Sequence, residues 1–238
     1  MRNIWILGKK EFISYFSSPI AYVAISVFLV VVGLKFFVVD EFFKMGEANL
    51  RSFFELVPFF FVFYLPAVAM RLISEEKRMG TFELLATLPI SDAEIVLGKY
   101  LGALGFMLVT LGLTLVYPIV LGTLGDPDTG AILGGYLGLT LIGSALLAIG
   151  IMASAWTQSQ IVAYILGTVV SAEFFFMDAI LGAFSEGAKR VAEYVSFASH
   201  YMNFTKGVVD TRDVVFFVTA TALALVIATF SINSRRWN

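Results

Sequence analysis

The sequence predicts an all-α polytopic membrane protein with six transmembrane helices, an N-terminal interfacial helix and a short cytoplasmic helix. Three observations lead there. Of its 238 residues, 59% are hydrophobic and only 14% charged, with a mean hydropathy of +0.88, outside the range of ordinary soluble domains. Several apolar runs reach the ~20 residues a helix needs to cross a hydrocarbon core. Those runs are continuously apolar, whereas the strands of a membrane barrel alternate. The chain has no cysteine, which excludes disulfides, thiolate metal sites and thiol nucleophiles, and its net charge of −2 argues against a nucleic-acid partner.

Residues 1–18 form the first unit. Ile4, Trp5, Phe12, Tyr15 and Phe16 fall on one helical face and Lys10, Ser14 and Ser17 on the other, the pattern of an interfacial helix. A plain extension of the first span is the other reading. Lys9, Lys10 and Glu11 among aromatics do not make a cleavable signal peptide. Pro19 marks a corner, and residues 19–238 make up the membrane domain.

The first span covers about Ile20 to Val39 and the second about Leu56 to Ile73, where Pro58 and Pro66 each remove a backbone donor and predict a bent helix. The third covers Ile95 to Leu121. The fourth, Ile132 to Trp156, carries Gly134, Gly135, Gly138, Gly143, Gly150 and Ser154. Small residues let helices approach closely in lipid, so this span belongs inside the bundle. The connector Thr157–Gln160 is short, the fifth span reaches about Leu181, an outer segment spans 185–213, and the sixth covers Val214 to Ile232. Six crossings place both termini on one side. Arg2, Lys9, Lys10, Arg235 and Arg236 put that side in the cytoplasm.

Between spans two and three lies a charged cytoplasmic loop, 74–94. Glu75, Glu76, Lys77 and Arg78 take the chain out of hydrocarbon. Gly80-Thr81 breaks the helix, and Phe82–Leu88 forms a short one with Phe82, Leu85 and Leu88 on one face and Glu83 elsewhere. Pro89 ends it. Ser91 and Glu94 have the spacing of a capping box, with Ile90 and Ile95 placed for a hydrophobic staple. The loop reads as a stiff elbow, although a charge cluster that only fixes membrane depth accounts for Glu75 to Arg78 equally simply.

Little of the sequence carries chemistry of its own. Gly98-Lys99 is followed by Tyr100 and lacks the earlier glycine of a phosphate loop. His200 stands alone as an ordinary surface or interfacial residue. Glu75-Glu76 raises a membrane metalloprotease reading, but the position where such proteases carry arginine holds Gly80. Glu173, within VVSAEFFFMDAIL, is a carboxylate in apolar sequence. It is either an intramembrane functional site or a hydrogen-bonding residue near the outer surface.

Three blocks then resemble a known family, the permease subunits of ABC-2 type ABC transporters, and within it the gliding-motility and NosY-like subgroup. They are Lys10-Glu11-Phe12 with Tyr15-Phe16-x-Ser18-Pro19-x-Ala21-Tyr22; EEKRMGTFELLATLP from Glu75 to Pro89 with EIVLGK from Glu94 to Lys99; and His200-Tyr201 through Phe204, Gly207-Val208-Val209-Asp210, Arg212 and Asp213. The resemblance implies a half-transporter that pairs with a second permease chain, identical or not, and docks two separate ATPase subunits, which carry the ATP and Mg; no cofactor is expected on this chain. By the same resemblance Glu75, Glu76, Gly80, Thr81, Glu83, Leu84, Leu85 and Pro89 are the ATPase-coupling residues, and Thr157–Gln160 supplies a second contact. Membrane lipid and a periplasmic accessory protein complete the expected partners. The expected function is ATP-driven export. Force transmission without transport, a stand-alone secondary transporter or channel, and an intramembrane protease are the rivals.

Overall fold

The computed structural model describes residues 2–39, 50–81, 89–125, 127–182 and 192–233, and every regular element among them is helical. Helix α1 covers Arg2–Phe16, and α2 covers Pro19–Leu34 with a π-helical turn, Lys35–Val39, behind it. Ser18 caps α2 by accepting from the Ile20 N–H, and Pro19 occupies the first turn, where a missing N–H costs nothing. Next come α3 (Arg51–Ala69), α4 (Arg71–Arg78), α5 (Asp92–Leu113) and α6 (Val116–Leu124). They are followed by α7 (Thr129–Trp156), α8 (Gln160–Phe175), α9 (Met177–Gly182), α10 (Phe197–Thr205) and α11 (Thr211–Asn233).

Among the described residues five stretches are long and apolar enough to cross a membrane: Pro19–Phe37, Arg51–Arg78, Asp92–Thr123, Thr129–Trp156 and Thr211–Asn233. The expected fifth of six crossings differs. Helix α8 has only 16 residues, about 24 Å of rise, and the chain bends at Phe176 before α9 instead of running unbroken to Leu181.

Helix α7 is the hub, packed against α3, α4, α5, α8, α10 and α11. Its small residues act as anticipated. A Cβ on Gly135 would lie 2.5 Å from the Phe54 ring, on Gly143 2.6 Å from the Met107 sulfur, and on Gly150 2.7 Å from Ala69 Cβ. Each glycine therefore permits an approach that any side chain would block.

The prolines do not break α3, which is helical through Pro58 and Pro66. The carbonyl that Pro58 leaves without a donor, that of Phe54, instead accepts the buried Tyr201 hydroxyl at 2.9 Å. A neighbouring helix thus returns the hydrogen bond lost at Pro58. The third span divides before Pro118 into α5 and α6, where the Thr114 carbonyl accepts both the Tyr117 N–H at 2.9 Å and the Tyr136 hydroxyl at 3.0 Å.

Helix α1 lies along α5. Gly98, Gly102 and Gly105 receive it: added Cβ atoms would stand 2.5 Å from Leu7 Cβ, 2.5 Å from Glu11 Cβ and 2.9 Å from the Phe12 ring. Of the expected apolar face, Tyr15 is buried and Ile4, Phe12 and Phe16 are half-buried, Lys10, Ser14 and Ser17 are exposed as expected, and Trp5 is 71% exposed. Close backbone approach at Gly8 adds to the ring contacts of Tyr15 and Phe16 with Phe106 in setting the rotation of α1.

Candidate functional site

The charged end of the bundle is built from α1, α4 and α5. Helix α4 continues the line of α3 beyond a break at Met70, and the cause of the break is visible in α7. The buried Ser154 hydroxyl accepts from the Ile73 and Ser74 N–H groups at 3.1 and 3.0 Å and donates to the Met70 carbonyl at 2.8 Å. A side chain inserted into the helical hydrogen-bond ladder is a recognised source of such interruptions. The Lys77 ammonium donates to the Ala155 carbonyl, a second tie between α4 and the end of α7.

At the centre is Lys99 of α5, only 2% exposed. Its ammonium meets Glu76 of α4 at 2.7 Å and Glu11 of α1 at 3.0 Å. One buried cation thus joins three helices, and the second oxygen of Glu76, also buried, has no hydrogen-bond partner among the described residues. Burying these charges is costly unless they stay paired, so the contact holds only when all three helices are in register. Sequence reasoning included Glu76 and missed Glu11 and Lys99 as its partners. All three letters lay in the quoted blocks, but nothing local connects residues 88 positions apart.

The elbow is fixed at both ends. Helix α4 stops at Gly80, whose φ of +70° suits glycine, and the Thr81 hydroxyl donates back to the Glu76 carbonyl at 3.3 Å. At the far end the capping box forms: Glu94 N–H donates to Ser91 Oγ at 3.2 Å and Ser91 N–H to the Glu94 carboxylate at 3.0 Å. Ile95 is fully buried, Pro89 is exposed, and Asn3 of α1 donates to Glu94 at 3.3 Å. Glu83, Leu84 and Leu85, with the expected helix Phe82–Leu88, lie outside the described residues.

Glu75 and Glu76 diverge. Glu76 is committed to Lys99, whereas Glu75 lines an open groove with Arg71. Among the described residues no three His, Cys, Asp or Glu side chains come together as metal ligands.

Glu173 sits near the end of α8, exposed on the same stripe as Ile165 and Val169, with no hydrogen bond to another described residue. His200, expected as an ordinary surface or interfacial residue, is half-buried. Its Nδ1 lies 2.6 Å from the buried Asp213 carboxylate, its Nε2 3.2 Å from the Tyr194 carbonyl, and its ring stacks on Phe216 at 3.9 Å. Asn203 donates to the other Asp213 oxygen at 2.8 Å, so this cluster pins α10 to α11.

Residues 5–235 match the family model described as ABC-2 family transporter protein. No curated protein matches the chain.

Proposed function

The chain belongs to the ABC-2 family of transporter proteins, and on that premise we propose that it is the permease subunit of an ATP-driven exporter of the gliding-motility and NosY-like kind. It works beside a second permease chain, with two ATPase subunits that bind ATP and Mg docked at its charged end. In this reading the charged end faces the cytoplasm of a bacterial inner membrane, α8 with α9 completes six crossings, α1 lies at the interface, and both termini are cytoplasmic.

The observation that carries the reading is the Glu11–Lys99–Glu76 contact. The 82–88 segment leaves α4 and enters α5, and the buried lysine binds those two helices to each other and to α1. A displacement delivered to the segment passes to the bundle as a rigid-body movement, which a loosely rooted loop would dissipate. Gly80, Thr81, Glu83, Leu84, Leu85 and Pro89 are then the docking side of the lever and Glu76 its root, while Glu75, also expected among the coupling residues, turns into the groove beside Arg71.

The test is co-purification with the ATPase. Leu85→Asp combined with Glu83→Lys abolishes association while membrane insertion stays intact. Undiminished association removes the elbow as the docking site.

A further inference from the structure

A groove of about 350 Å³ opens beside the break between α3 and α4. Ala24 and Val27 of α2, Ala67 of α3 and Phe106 of α5 give it apolar walls, and Arg71 and Glu75 of α4 stand at its charged end. These two are the i, i+4 positions of one helical face and would ordinarily close on each other. They do not: no ion pair joins them, and among the described residues neither has an oppositely charged partner within 4 Å. The Arg71 guanidinium instead lies 5.1 Å from the centre of the buried Tyr15 ring, which holds it at the mouth.

We propose that this groove binds a zwitterionic phospholipid of the adjacent leaflet, its phosphate on Arg71, its primary ammonium on Glu75 and one acyl chain along Ala24, Val27 and Ala67. The two protein charges cancel, which disfavours a net-anionic headgroup, because its second partner would be the Glu75 carboxylate. A primary ammonium donates hydrogen bonds to a carboxylate, while a trimethylated one cannot. Val27 belongs to the exposed stripe of α2 with Val23 and Val30, so the site is reached laterally from the bilayer. The proposal takes from the functional reading only the membrane placement of the bundle.

The absence of cysteine makes the test direct. The full chain carrying Val27→Cys, labelled with bimane, is reconstituted in vesicles containing lipids brominated on the acyl chain, with ethanolamine, choline or glycerol headgroups in turn. Quenching by the ethanolamine lipid exceeds that by either other, with an enrichment of about fivefold, the preference one charged contact confers near a bilayer surface. Label at Leu223→Cys on α11, outside the groove, reports no preference. Arg71→Gln lowers quenching by all three lipids, since the phosphate they share loses its partner, and Glu75→Gln turns the preference toward the glycerol lipid, since Arg71 is then unopposed. Equal quenching by all three lipids, or a glycerol preference in the unaltered groove, overturns the proposal. No ATPase is present, so loss of ATPase docking and loss of lipid preference are separate results.

Discussion

Lys99 illustrates how one residue concentrates the energetics of this end of the molecule. With Lys99→Met the two carboxylates of Glu11 and Glu76 face each other without a cation, and breaking a buried pair on one side costs about 3–5 kcal/mol. A marked fall in the thermal unfolding midpoint of the purified chain in detergent is the expected result, and adding Glu11→Gln and Glu76→Gln to Lys99→Met restores most of it. An unchanged midpoint in the single variant means the contact carries no stability. The charges themselves are plain in the sequence, yet their meeting is not. A lysine at the start of an apolar span reads as an interfacial anchor until a partner helix covers it.

Among the elements, α1 depends most on a backbone surface. Gly102 faces Glu11 Cβ and the Gly8 carbonyl, which an added Cβ would approach to 2.5 and 2.9 Å, closer than real contacts allow. Gly102→Val therefore lifts α1 from α5 and separates Glu11 from Lys99. Hydrogen exchange across Arg2–Phe16 accelerates while α7 and α11 keep their protection; equal protection in the variant refutes direct seating on glycine. The Gly98-x-x-x-Gly102 spacing was available to sequence reasoning, as the glycines of α7 were. The capping box at Ser91 and the corner at Pro19 were legible because their partners lie within a few residues. The role of Pro58 was only half legible: a missing donor is local information, whereas the tyrosine that replaces it comes from another helix.

For the whole molecule the decisive quantity is orientation. Gln158 in the α7–α8 connector and Thr129 at the start of α7 lie at opposite ends of a helix of 28 residues. With Gln158→Cys the cysteine-free chain reacts with an impermeant maleimide from the cytoplasmic face, and with Thr129→Cys from the outer face. The reverse pattern turns the bundle over and takes the coupling end away from any cytoplasmic ATPase.

Class, caps and the central place of α7 followed from the sequence alone, whereas the expected six long spans became five and a shorter helix, α8. Hydrophobic length, glycine spacing and capping are rules about residues close together along the chain. Tertiary structure decided which charges pair, where α3 yields to Ser154, and how His200 and Asp213 tie α10 to α11. Each of those depends on groups distant in sequence that only a packed bundle brings within hydrogen-bonding range, where leaving them apart would strand polar atoms away from water.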